Sequence, residues 1–183
     1  MGPARPVPVL VGTGVRIGEA LAVLWNQVDR DSGLVEITHT IVRVTGRGLI
    51  RKRAKSRAGE RVLALPSTVQ AMLQARFMVG ARLDDPVFPN TFGNFRDPSN
   101  TRRCLRKARG DGLLSWVTSH NFRKTVATAL DDAGQSARQI ADHVGHSQVS
   151  MTQDVYLGRK VANPEAAEVL DRLLRRANGE NHG

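Results

Sequence analysis

Residues Leu34–Pro66 read LVEITHTIVRVTGRGLIRKRAKSRAGERVLALP. Val35, Ile37, Ile41, Val42 and Val44 are β-branched and several of their neighbours are polar, which predicts an extended run over Leu34–Val44. Gly46 and Gly48 break it, and a second extended run over Arg61–Leu65 stops at Pro66. Together they predict a small antiparallel hairpin or meander whose connection is strongly positive. Between Arg43 and Arg61 stand eight Lys/Arg residues and one acid, Glu60. A two-stranded ribbon with a cationic tip suits the tracking of phosphates or entry into a groove. Charges that merely guard a sheet edge are the plainer use, but eight against one is too lopsided for that alone. Arg51, Lys52, Arg53 and Arg57 are therefore candidate nucleic-acid contacts.

Outside this stretch the chain reads as helical. Met1–Pro8 is Pro-rich and aperiodic, which predicts a linker stub over residues 1–9. Gly12-Thr13-Gly14 marks a switch to helical spacing, with Ile17, Ala20, Leu21 and Leu24 on one face. Ser67 can cap a helix to about Val79. Asp85-Pro86 and Pro89-Asn90 bound a loop around a short Val87-Phe88 strand. Ser99–Arg109 predicts a basic helix with Leu105 and Ala108 toward the core and Arg102, Arg103, Arg106 and Lys107 outward. Thr118 or Ser119 caps the next helix, which runs to Ala133; Ser136 caps another, stopped by Gly145. Pro164 opens a last helix to about Ala177. The predicted class is α+β, mostly helical, with a small antiparallel sheet or hairpin.

The chain has 183 residues, 40% hydrophobic and 24% charged, which excludes wholesale disorder and fibrous repeats. Lys+Arg 27 against Asp+Glu 17 gives +10, a balance that favours a polyanionic partner. The lone cysteine, Cys104, rules out an intrachain disulfide framework and suits a reducing, cytoplasmic compartment. No stretch approaches the ~20 apolar residues of a membrane-spanning helix.

Few residues could carry chemistry. His120 and Arg123 share one face of the first turn of their helix, where free N–H groups and the dipole favour an anion. Arg16 and Glu19 have the same spacing; the plainer reading is a local ion pair. His143 and His146 lack the further His or Cys of a zinc site, and no metal is predicted. No Gly-rich phosphate cradle supports ATP use. Tyr156 is the only tyrosine, and so the sole candidate for a phenolic nucleophile.

In order along the chain, these pieces resemble the catalytic domain of the tyrosine recombinases, the phage integrase family. Thr13-Gly14-Val15-Arg16-Ile17-Gly18-Glu19-Ala20-Leu21 is similar to the family's first arginine motif. Lys55-Ser56-Arg57-Ala58-Gly59-Glu60-Arg61 with the strand to Pro66 resembles its lysine hairpin. His120-Asn121-Phe122-Arg123 matches the H-x-x-R box, Val144-Gly145-His146-Ser147 the next histidine box, and Tyr156 stands at the nucleophile's distance. The resemblance covers about residues 10–160, which makes 10–160 the expected catalytic domain and 161–183 a C-terminal helix and tail for docking between subunits.

The resemblance implies metal-free DNA cleavage and rejoining without cofactor. Arg16 and Arg123 would clamp the phosphate, and His120 and His146 would assist with hydrogen bonds and proton transfer. Lys55, with Lys52 as a competing candidate, would protonate the leaving 5′-oxygen; Tyr156 would attack phosphorus; Glu19 would orient the first arginine. It further implies double-stranded attachment-site DNA as partner, a homotetramer on paired sites, and a directionality factor. A catalytically silent DNA-binding module would share the charge but not require these residues together. A type IB topoisomerase-like nicking–closing enzyme would use the same chemistry on one duplex. A structural or ribosomal-type basic protein would leave the ordered motifs unexplained.

Overall fold

Helix α1 (Val7–Thr13) begins inside the segment that its prolines mark as a linker. Pro8 lies in the first turn, where its missing N–H has no helical partner to lose, and Val9, Leu10 and Thr13 are buried. The linker reading of residues 7–9 is thus corrected: burial of this face, invisible to composition, makes them part of the domain. The computed structural model describes residues 6–54, 59–77, 80–112 and 115–146. Lys55, Arg57, Tyr156 and the helix expected from Pro164 lie outside the described residues.

Gly14 ends α1 at φ 66°, donating its N–H to Leu10 O. Helix α2 (Ile17–Ala20) is one turn, shorter than the apolar spacing predicts. Ile17, Ala20 and Leu21 are buried as expected, but Leu24 is extended and forms an isolated antiparallel bridge with Pro86. A 3₁₀ turn at Trp25–Gln27 follows, and the Gln27 side chain accepts the Leu24 N–H.

Strands β1 (Val28–Asp29), β2 (Leu34–Ile37) and β5 (Arg61–Ala64) form one antiparallel sheet in the order β1-β2-β5. Strands β3 (His39–Val44) and β4 (Gly48–Arg53) form a separate ribbon. The two runs expected from sequence do pair, Val35 opposite Leu63, but the first is divided at Thr38 between two sheets. Part of the expected connection is itself a strand, with Ile41 opposite Arg51. Tertiary hydrogen bonds favour the break: Gln27 donates to Thr38 Oγ1, and the Thr38 carbonyl accepts from Ala54.

Helices α3 (Ser67–Phe77), α4 (Pro98–Arg109), α5 (Ser119–Asp132) and α6 (Ala137–Val144) complete the described fold. Thr118 and Ser136 occupy the N-caps of α5 and α6, and Gly145 ends α6 at φ 71°. Val87 and Phe88 are buried but form a bend rather than the expected strand, with Val87 donating to Val23 O. On α4, Thr101 is buried and Leu105 packs on the core, whereas Ala108 is exposed, against expectation. Arg109 turns inward in its place and donates to Val117 O.

The main core joins Leu10, Val15, Leu21, Trp25, Ile37, Leu63 and Phe88; Ala127, Ile140 and Val144 form a second cluster between α5 and α6. Each fully buried aliphatic side chain is worth about 1.5–3 kcal/mol. The packing of α5 against α1 brings the second half of the chain onto the Gly14 turn.

Candidate active site

Arg16 is the extended N-cap of α2 and Glu19 is its third residue, a geometry that lets the carboxylate reach back. Glu19 Oε2 accepts the Arg16 backbone N–H at 2.9 Å, and Oε1 accepts Arg16 Nη1 at 2.8 Å. Arg61, arriving on β5, donates Nη2 to the same Oε2 at 3.0 Å. Burial pushes the Glu19 carboxyl up, but Arg61, the Arg16 N–H and the Arg16 guanidinium together outweigh it and hold the group below the usual carboxylate range. The ion-pair reading of Arg16 and Glu19 and the orienting reading describe one contact.

Arg16 also reaches the end of α6, where Nη1 and Nη2 donate to Gly145 O at 3.3 and 3.4 Å. Arg123, in the first turns of α5, is 2% exposed and donates Nη1 to Gly14 O at 2.9 Å. Gly14 leaves room for this approach: a Cβ there would lie 3.1 Å from Val126, at a φ that side chains rarely adopt. His143 sets its Nε2 3.1 Å from Thr13 O. His146, just past α6, is buried, and its N–H donates to Ala141 O.

Burial, then Arg123, Arg16, Arg61 and His120, drive the His146 imidazole down to about 4. Those same charges mark the company it keeps: three arginines and a second histidine share its field. His120 is exposed on the first turn of α5. The structure therefore gathers Arg16, His120, Arg123 and His146, residues up to 130 positions apart, around one locus. A cationic locus with a neutral imidazole is chemically an oxyanion receptor. Among the described residues, no group of three or more His, Cys, Asp or Glu is placed to hold a metal.

The candidate DNA contacts divide. Arg102, Arg103, Arg106 and Lys107 stand exposed on α4, and Lys52 is exposed on β4. Arg51 instead turns into the protein, with Nε on Ala22 O and Nη2 on Gln27 Oε1. Arg53 pairs with Glu60 and Arg43 with Asp97. The basic stretch is less naked than its charge count implies, because two acids that balance it, Glu19 and Asp97, are distant in sequence. Arg61 is the residue that sequence reading missed: it was one charge among eight, and only its partners distinguish it. Its place directly before Val62-Leu63, at the head of the second extended run, is the one available clue.

The described residues thus form an α+β domain in which Arg16, Arg123 and His120 lie in the field of His146, with further cations exposed on α4. The chain belongs to the phage integrase family, whose profile matches residues 6–162. The tyrosine recombinase XerC of Mesorhizobium japonicum is 31% identical over 158 residues, covering 85% of this chain and 46% of that protein. An integrase of Streptomyces ambofaciens is 30% identical, covering 93% of this chain and 48% of that protein. The chain thus spans about half the length of the curated relatives it matches. The Tn1549 transposon integrase in complex with transposon right end DNA has a similar fold, with a TM-score of 0.71 at 22% identity over 92% of this chain and 58% of that one. The XerA recombinase gives 0.64 at 23% identity, over 96% and 56%.

No helix among the described residues is long and apolar enough to cross a membrane.

Proposed function

We propose that this chain is the catalytic domain of a site-specific DNA recombinase that cuts and rejoins strands through a 3′-phosphotyrosyl intermediate. The observation that carries this reading is the convergence of Arg16, Arg123, His120 and His146 in a fold of the integrase family. The two arginines neutralise the nonbridging oxygens of the scissile phosphate, where charge grows in the pentavalent transition state. His146, held neutral at pH 7 by its burial and its cationic neighbours, contributes a hydrogen bond, and His120, exposed on α5, shares in the proton transfer. Tyr156 forms the new oxygen–phosphorus bond while the bond from phosphorus to the 5′-oxygen breaks. The phenolic proton passes to the imidazole side, and Lys55 delivers a proton to the departing 5′-oxygen. A 5′-hydroxyl from another strand reverses the step, so the phosphodiester energy is conserved and no ATP is consumed.

Double-stranded attachment-site DNA is the proposed substrate, bound by the exposed cations of α4 and by Lys52. Assembly as a homotetramer on paired sites, with a directionality factor, follows from the same reading.

The test is a nicked suicide duplex carrying the cognate site, resolved on denaturing gels in EDTA. A covalent adduct that vanishes in Tyr156→Phe is the expected result. Where this chain alone gives none, the assay is repeated with the sequence that adjoins it in the gene. Site binding by the longer chain with no adduct would sink the catalytic reading and leave a binding module; relaxation of supercoiled DNA without strand exchange would indicate a nicking–closing enzyme.

A further inference from the structure

Arg61, at the head of β5, uses all three guanidinium nitrogens inside the protein. Nε donates to His143 O at 2.8 Å, Nη2 to Glu19 Oε2 at 3.0 Å, and Nη1 to Gly59 O at 3.3 Å. Its side chain is 7% exposed and each of its guanidinium nitrogens is already committed to a protein acceptor, which sets it in the frame rather than on the phosphate. We propose that Arg61 is a positioning residue: it ties the Glu19 carboxylate to the C-terminal end of α6 so that Arg16 and His146 address one phosphate. The proposal rests on the recombinase reading and deepens it.

Three observations carry it. Glu19 Oε2 is shared between the Arg16 N–H and Arg61, while Oε1 orients the Arg16 guanidinium. Removing Arg61 leaves a buried carboxylate short of a donor and free to rotate away from Arg16. At the other end, the last turn of α6 leaves carbonyls without helical partners, and cations are favoured there. Arg61 takes His143 O and Arg16 takes Gly145 O, so two arginines from the first half of the chain staple the backbone on either side of Val144. His146 is the next residue. Lastly, one planar fork spans three elements, a reach that the single ammonium of lysine lacks. The charges facing His146 come from the N-cap of α2 (Arg16), β5 (Arg61) and α5 (Arg123 and His120), and Arg61 is bonded to protein acceptors through Nε, Nη1 and Nη2 alike.

The test compares wild type with Arg61→Gln and Arg61→Lys on two readouts. In single-turnover cleavage of bound suicide DNA, Arg61→Gln is expected to lose rate on the order of 100-fold, as for an ångström-scale misplacement. DNA affinity and its salt dependence should stay within about twofold, because no phosphate contact is removed. Arg61→Lys keeps the charge but not the fork, so its rate should fall as well; it also serves where Arg61→Gln fails to fold. Wild-type cleavage by either variant, or a loss confined to affinity, would overturn the proposal.

The second readout needs no DNA. In the free chain, NMR titration should show the His146 midpoint rising from about 4 and the Glu19 midpoint rising in Arg61→Gln, with Arg61→Lys closer to wild type. Unmoved midpoints would overturn the positioning role. Site binding by the longer wild-type chain with no adduct would instead overturn the recombinase reading, leaving the titration to decide Arg61.

Discussion

His146 is where the site's electrostatics are easiest to measure. Its imidazole titrates near 4 in the folded chain, below its ordinary 6.5, because burial and three arginines oppose a further positive charge. The unfolded chain therefore binds more protons between those values, and stability falls as pH drops from about 6.5 toward 4. The full loss from this group is on the order of 3 kcal/mol. Glu19 acts in the same sense: its lowered carboxyl stabilises the fold above the ordinary pKa, and that contribution disappears as pH falls through the folded value. Thermal melts from pH 7 to 4 should show a falling midpoint, and His146→Asn should flatten the upper part of that fall. Equal slopes in both proteins would contradict the neutral assignment of His146.

The connections between elements depend on a few residues that hold two of them at once. Gly14 ends α1, lies against Val126 of α5 and offers its carbonyl to Arg123. Gly14→Ala forces a side chain into positive φ and should cost about 1–3 kcal/mol. Arg123 would shift with it, so the cleavage rate should fall further than the melting loss alone predicts. Asp97 joins another pair: Oδ1 accepts the Ser99 N–H as the N-cap of α4, and Oδ2 holds Arg43 of β3. Asp97→Ala should cost about 1–2 kcal/mol, mostly from the cap, since the half-exposed Arg43 adds little. Urea denaturation would measure both. Arg43→Gln should cost clearly less than Asp97→Ala; the reverse order would place the energy in the ion pair.

Across the whole molecule, charge is sorted into cations bound internally and cations presented outward. Arg102 and Arg106 stand free of the core on α4, whereas Arg51 is bonded to Ala22 O and Gln27. In salt-titrated DNA binding, the double variant Arg102→Gln/Arg106→Gln should lower the slope of log K against log salt by about 2. Arg51→Gln should lower stability while leaving the slope nearly intact. Deletion from Pro164 onward, the stretch read from sequence as a docking helix, should weaken assembly on paired sites more than cleavage at a single site. Sizing and cleavage assays that fell together would remove the docking role.

Local chemistry was legible in the chain itself. The caps at Thr118 and Ser136, the stop at Gly145 and the pairing of Val35's strand with Leu63's follow from spacing and caps, and the candidates Arg16, His120, Arg123 and His146 come from ordered motifs. These depend on neighbours within one turn or on residue types, which sequence records directly. Contacts between distant segments are not recorded in that way. The division of Leu34–Val44 at Thr38, the inward turn of Arg109 beside exposed Ala108, and the recruitment of residues 7–9 into the core were settled by packing. Arg61 shows the limit most clearly. As a residue type it is one more cation in a basic stretch, and only folding sets it between Glu19, 42 positions away, and His143, 82 away, where a buried guanidinium has to find acceptors.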